Sequence, residues 1–227
     1  MKIYRILDND LARETQTPLQ NAQLLSPVTP TKIVAVGRNY SEHAKELGND
    51  VPEEPIIFLK PATCVLAPGG TIVRPPISNR VDHEGELAIV IGREARNVPR
   101  QRWRDYVRGF TCANDVTARD LQKKDVQFTR GKSFDTFCPL GPCIETELDP
   151  SALRIQTRVN GQIRQDGNTG QMVFKCDVLV EFITQVMTLL PGDVILTGTP
   201  AGVGPLASGD VVEVEIDGIG TLRNVVS

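Results

Sequence analysis

Two glutamates stand one residue apart at the head of an apolar run, Glu84-Gly85-Glu86-Leu87-Ala88-Ile89-Val90-Ile91. In an extended strand, residues i and i+2 project to one face about 6–7 Å apart. Two carboxylates buried there repel each other, and a divalent cation relieves the repulsion. Hard cations such as Mg²⁺ or Mn²⁺ prefer oxygen ligands. Gly85 leaves the opposite face bare, as a close backbone approach requires. Taken alone, the pair also fits a solvated strand end. Asp115, in Thr111-Cys112-Ala113-Asn114-Asp115-Val116-Thr117, lies where a small-residue, strand-like stretch hands over to a helix. An acid there could be a third ligand or a helix cap.

His43 and Glu46 are spaced i, i+3, which puts both on one face of a short helix over Ser41–Leu47. A carboxylate beside an imidazole fixes its tautomer and raises its basicity, which suits a general base. His83, the only other histidine, abuts Glu84 but faces the other side of the strand, so a supporting role is expected. Gly131-Lys132-Ser133 lacks the upstream glycine of a phosphate-binding loop, since position 126 is Val126. Lys132 is left as an oxyanion partner or a surface charge. Thr197-Gly198-Thr199-Pro200-Ala201-Gly202-Val203-Gly204 follows an apolar strand and could offer backbone N–H groups and hydroxyls to an anion.

The elements that must position these groups are mostly strands. Ile3–Leu7, Lys32–Val36, Pro55–Leu59, a run from Glu84 to Gly92, Leu153–Val159, Gln162–Gln165, Val194–Thr197, Val211–Ile216 and Ile219–Val225 read as strands. Asn160-Gly161 and Asp217-Gly218 predict two-residue hairpin turns, because these residue types tolerate positive φ. Helices are expected at Ser41–Leu47 with Gly48 at its end, at Arg100–Val107, and at Thr117–Lys123 with Thr-Ala-Arg-Asp as a capping-box variant. Another is expected at Cys176–Leu189, where Val178, Leu179, Phe182, Ile183, Val186 and Leu189 form a stripe stopped by Pro191-Gly192. Residues 1–30 read as a polar lead-in with one strand, and 31–227 as one mainly-β domain with short helices.

Composition narrows the function. The 227 residues carry a net charge of −3, without the basic excess of a nucleic-acid or anionic-membrane binder. The longest clean apolar runs fall far short of the roughly 20 residues a bilayer needs. Arg5, Asp8 and Asp10 interrupt any apolar leader. The five cysteines contain no C-x-x-C and read as reduced thiols. A cytoplasmic address is the resulting expectation.

Five motifs occur in order: Gly37-Arg38-Asn39-Tyr40-Ser41-Glu42-His43, Phe58-Leu59-Lys60-Pro61, Asp82-His83-Glu84-Gly85-Glu86-Leu87, Asn114-Asp115-Val116-Thr117-Ala118-Arg119-Asp120 and Leu196-Thr197-Gly198-Thr199-Pro200. Across about residues 32–226 the chain resembles the fumarylacetoacetate hydrolase family, most closely its short acylpyruvate hydrolase and oxaloacetate decarboxylase-like members. The resemblance implies a mixed β-roll and a homodimer. It implies Glu84, Glu86 and Asp115 as ligands of Mg²⁺ or Mn²⁺, and His43 with Glu46 as general base and helper. It further implies Lys132, Gln122 and Thr199 as substrate-facing groups, with Arg38 among the substrate contacts.

Two positions depart from the larger family members. The carboxylate ligand seven residues before the histidine is Val36, so three carboxylates hold the ion and about three positions remain for water or substrate. The aromatic substrate contact four residues after the glutamine is Val126.

The expected activity is metal-dependent C–C bond hydrolysis of an acylpyruvate-type 2,4-dioxo acid through a stabilised enolate, with His43 activating water and its short helix closing as a lid. Decarboxylation of oxaloacetate, isomerisation of unsaturated dioates from aromatic degradation, and a silent metal-binding scaffold are the alternatives.

Overall fold

The run Leu87–Ile91 is apolar at every position because both of its faces are covered. In the computed structural model, which describes residues 1–8, 11–17 and 22–227, it lies in the strand Gly85–Ile91. Leu87, Ile89 and Ile91 enter one core cluster with Phe110, Leu179 and Ile183. Ala88 and Val90 enter a second with Ile33, Ile144 and Val194. A strand buried on both sides loses the polar alternation of a half-exposed one.

This strand sits inside a 10-stranded mixed sheet. The main path runs Leu11–Thr15, Lys2–Asp8, Cys138–Glu145, Val107–Asn114, Gly85–Ile91, Val194–Leu196, Lys32–Gly37, Ile56–Pro61. Only Val194–Leu196 with Lys32–Gly37 is parallel along that path. Asp193 locks this parallel pair: its buried carboxylate accepts from Thr31 N at 2.9 Å and Lys32 N at 3.1 Å, and pairs with Lys32 Nζ at 2.6 Å. A 5-stranded sheet (Gln162–Asn168, Arg154–Val159, Val211–Ile216, Gly220–Val226, Thr71–Ile72) covers one face. The chain is mainly β; of the described residues, 18% are helical and 42% strand.

Several expected boundaries move for identifiable reasons. Asn160 (φ 52) and Gly161 (φ 76) form the expected two-residue turn, with Val159 opposite Gln162. At the second hairpin Ile216 pairs with Gly220, so the loop has three residues. Ile219 leaves the strand because it is 1% exposed, turned into the core. The helix expected to reach Leu189 ends at Val186. There Arg96 donates to the carbonyls of Thr184 and Gln185, and Val186 is solvent-exposed. Arg100–Tyr106 is 3-10 rather than α.

The capping box at Thr117 does not form. Thr117–Ala118 are strand and the helix is Arg119–Lys124. Asp120 instead accepts from Ser78 Oγ at 2.6 Å and Asn79 N at 2.8 Å, tying down a neighbouring turn. Cys138–Glu145 is a central strand despite Pro139, Gly141 and Pro142. A register shift against Val107–Asn114 accommodates them.

The N-terminal stretch adds Leu11–Thr15 and Gln23–Leu24 to the single strand expected there. Lys2 and Ile3 pair with Glu145 and Ile144, which joins this stretch to the large sheet. Asp10 and residues 18–21 lie outside the described residues.

The expected strand from Glu84 to Gly92 is interrupted at its first residue. Val81–His83 belongs to a 3-stranded sheet with Thr117–Ala118 and Gly204–Pro205, whereas Gly85–Ile91 belongs to the large one. The partner strand breaks at the same level. Gly85 pairs with Asn114 and Asp82 with Thr117. Between these pairs Asp115 N donates to Glu84 O at 2.8 Å. Two adjacent chains therefore change sheets together, and Glu84 and Asp115 occupy the seam.

Candidate functional site

Eight of the nine candidate residues line one cavity of about 310 Å³, formed at this seam; Glu46 stands behind His43. Glu84, Glu86 and Asp115 are buried, and one carboxylate oxygen from each lies within 4.8 Å of the other two. Glu86 comes from the large-sheet strand, Glu84 and Asp115 from the two breaks.

Their surroundings are asymmetric. Lys132 Nζ bridges Glu84 Oε2 at 2.6 Å and Asp115 Oδ2 at 2.7 Å. Arg119 donates to Glu84 Oε1 and Lys60 to Asp115 Oδ1. Burial alone would raise the Glu84 carboxyl, but Lys132 and Arg119 outweigh it and hold it far below the usual range. Among the described residues, Glu86 has no ion-pair partner and accepts only from Gly198 N, at 2.7 Å. Burial, with Asp115 and Glu84 beside it, pushes Glu86 well up. An all-oxygen donor set containing one uncompensated carboxylate fits a hard divalent cation. The same burial, with Glu86 nearby, holds the Tyr40 phenol above its ordinary range, and its hydroxyl has no hydrogen-bond partner among the described residues.

The helix Ser41–Glu46 presents His43 to the cavity. His43 Nδ1 lies 3.2 Å from Glu46 Oε2, which leaves Nε2 as the ring nitrogen for a substrate. Glu46 is itself held by Gly202 N at 3.0 Å. The loop Thr197–Gly204 does offer its amides to carboxyl groups, but they are the protein's own: Gly198 N donates to Glu86 and Gly202 N to Glu46. Thr199 lines the cavity with its hydroxyl already engaged, donating to Gly85 O at 2.8 Å and accepting from Gln165 at 2.7 Å. Gln122 accepts from Arg119 at 2.6 Å. Arg38 is half-buried on the cavity wall with φ 58, a strained conformation for a non-glycine residue.

His83 is buried and faces away, its Nδ1 3.2 Å from Gln165 Oε1, and burial keeps it below the ordinary histidine range. Val126 is 93% exposed and does not reach the cavity. Phe128 lines it instead, edge-on to Phe58 with centroids 5.4 Å apart.

Sequence reasoning did not assign roles to Lys60 and Arg119. Lys60 is 0% exposed in the otherwise apolar Ile56–Pro61 strand, and a lysine between leucine and proline in such a strand is the available signal. Arg119 links Glu84, Asp82 and Gln122. All five cysteines are buried and free. No helix among the described residues is long and apolar enough to cross a membrane.

The chain is similar to several known proteins. An Archaeoglobus fulgidus protein is 59% identical, covering 92% of this chain and 84% of its own. Human mitochondrial oxaloacetate tautomerase FAHD2A is 47% identical, covering 92% and 71%. The crystal structure of 5-carboxymethyl-2-hydroxymuconate delta-isomerase from Mycobacterium smegmatis superposes with a TM-score of 0.92 at 46% identity, covering 100% and 98%. The family described as fumarylacetoacetate (FAA) hydrolase C-terminal matches residues 32–227. The chain belongs to the fumarylacetoacetate hydrolase family.

Proposed function

We propose that this protein is a divalent-cation-dependent enzyme that enolises a 2-oxo acid by proton transfer at the carbon next to the keto group. The observation that carries this reading is a buried three-carboxylate cluster sharing one cavity with the His43–Glu46 pair. Glu84, Glu86 and Asp115 would hold a Mg²⁺ or Mn²⁺ ion, which would supply Lewis-acid stabilisation of the negative charge that develops on enolisation. His43 Nε2 takes or returns the proton, and Glu46 holds the ring and stabilises its charged form. Lys132 places positive charge beside the developing oxyanion. Arg38 contributes a further cation at the cavity wall. Phe58 and Phe128 exclude water from the apolar side. The names of the human and mycobacterial relatives, a tautomerase and an isomerase, describe proton transfers of this kind.

Cleavage of acylpyruvates is the second reading. It is favoured by the same His43–Glu46 pair, which could deprotonate a water as readily as a C–H bond, whereas decarboxylation needs no such base. The deciding experiment incubates the protein with oxaloacetate and with acetylpyruvate, with Mg²⁺ or with a chelator. Enol–keto conversion is followed by ultraviolet absorbance, and pyruvate and acetate are assayed as products. Metal-dependent conversion without cleavage supports the first reading. Release of acetate establishes the second, and no turnover of either substrate refutes both.

A further inference from the structure

Each of the three cluster carboxylates has one oxygen held from behind by a protein donor. Lys60 occupies Asp115 Oδ1, Arg119 occupies Glu84 Oε1, and Gly198 N occupies Glu86 Oε2 at 2.7 Å. Two of the opposite oxygens, Glu84 Oε2 and Asp115 Oδ2, turn toward Lys132 in the cavity. Among the described residues no donor reaches Glu86 Oε1. Lys60 itself does not line the cavity. It is fully buried, and its ammonium also donates to Phe137 O at 2.9 Å. That carbonyl is held in turn by Val116 N at 3.1 Å. Arg119 is fixed in the same way, with Nε on Asp82 Oδ2 at 2.9 Å and Nη1 on Gln122 Oε1 at 2.6 Å. Lys60 lies outside the cavity and Arg119 lines its wall, and both are tied down by these partners.

We propose that Lys60 and Arg119 are positioning residues that restrict Asp115 and Glu84 to one ligating oxygen each, and so select small six-coordinate cations over Ca²⁺. This rests on the carboxylate cluster being a cation site, and not on which reaction follows. Mg²⁺ requires near-ideal octahedral geometry with single oxygens at short distance, whereas Ca²⁺ gathers 6–8 oxygens and readily chelates both atoms of a carboxylate. Chelation by Asp115 would bring the ion onto Oδ1, the oxygen that already accepts from Lys60, and set a divalent charge against a buried ammonium. Chelation by Glu84 would do the same at Arg119. The larger ion is therefore denied the extra oxygens it uses best. The smaller ion needs none of them.

Titration calorimetry with Mg²⁺, Mn²⁺ or Ca²⁺ alone, without substrate, on the parent, Lys60→Met and Lys60→Arg tests this. Loss of a positive charge acts alike on all divalent ions, so the ratio of Ca²⁺ to Mg²⁺ affinity isolates coordination mode. In Lys60→Met this ratio is expected to move toward Ca²⁺, by at most the ~10–100-fold in affinity that losing an outer-shell partner costs a metal site. Lys60→Arg keeps a donor on Oδ1 and is expected to stay close to the parent. A folded Lys60→Met with the parent's ratio overturns the proposal. If Lys60→Met does not fold, Arg119→Met frees Glu84 Oε1 by the same logic and is read the same way. A crystal structure of the unaltered protein with Ca²⁺ decides independently of any variant: single-oxygen ligation by Asp115 and Glu84 supports the proposal, and chelation by either overturns it. Failure to turn over any 2-oxo acid would sink the proposed reaction and leave this result standing.

Discussion

Gly85 is the position where fold and site depend on each other most directly, and Gly85→Ala is the substitution that exposes it. A Cβ at this position would lie 2.1 Å from Thr157 Oγ1 and 3.2 and 3.3 Å from the two methyls of Val214. The first distance is well inside contact, and both partners belong to the sheet packed against this strand. The glycine cannot simply back away. Its N–H is held by Gln165 Oε1 at 3.0 Å and its carbonyl by Thr199 Oγ1 at 2.8 Å. Overpacking of this kind costs ~1–3 kcal/mol. At ~2–4 °C per kcal/mol for a protein of this size, melting falls by ~2–12 °C. Any relief by backbone movement carries Glu84 and Glu86 with it, so divalent affinity falls as well. Thr157→Ala removes the clashing hydroxyl, which has no hydrogen-bond partner among the described residues, and by itself is close to neutral. The double variant should recover part of the loss, with a coupling of ~0.5–3 kcal/mol. Urea unfolding of the four proteins of this cycle, with Mn²⁺ titration of each, measures both effects. A Gly85→Ala protein as stable as the parent with unchanged Mn²⁺ affinity would refute the reasoning, and so would strictly additive single effects.

Three further outcomes are expected. His43→Ala lowers kcat by ~10²–10⁴-fold, the usual contribution of a general base, and leaves Mn²⁺ affinity intact; equal turnover would remove His43 from the chemistry. At a Mn²⁺ concentration of ~100 Kd the parent gains ~2.7 kcal/mol, a rise of ~5–11 °C in melting, and Glu84→Ala loses that rise. A persisting metal-induced shift in Glu84→Ala would rule out Glu84 as a ligand. Asp193 is held below its ordinary value of 3.8: burial raises it, but Leu190 N and the Lys32 and Thr31 donors outweigh that. A depressed carboxylate contributes stability above its unfolded pKa and loses it as pH falls through the folded one. Asp193→Ala should therefore lose ~3 kcal/mol near neutrality, where a largely buried ion pair is broken. It should also show a flatter stability profile below about pH 4 in acid-unfolding scans.

The parts of the fold legible in sequence are those where local chemistry and tertiary context agree. Asn160-Gly161 marks its turn because both residues adopt positive φ. Leu87–Ile91 reads as a strand from its apolar run, and the structure shows it buried on both faces. The spacing of His43 and Glu46 places them in contact on one helical turn. The strand Cys138–Glu145 was not legible, since its prolines and glycine argue against a central strand. A shifted register resolves that conflict, and register is a property of two strands.

The candidate site divides the same way. Residue type and motif order nominated Glu84, Glu86, Asp115, His43, Glu46, Lys132, Gln122, Arg38 and Thr199. Nothing in the sequence indicated that the amides after Thr197 would be spent on Glu86 and Glu46, or that the Thr199 proton would be committed to Gly85. Those pairings cross more than a hundred residues of chain, and no local pattern encodes them.

The amino-acid sequence by itself determined which oxygen and nitrogen groups are present, how they alternate along each strand, and that two acids head an apolar run while a third follows a small-residue stretch. Only the tertiary structure decided that two neighbouring strands break together at Glu84 and Asp115, and that Lys60 and Arg119 arrive from elsewhere to fix the rear oxygens. The physical reason is that burial, not spacing, sets the interactions of a charged group. A carboxylate's partners are whatever cations and amides the packed sheets bring within hydrogen-bond reach, and that is settled only when the sheets close on one another.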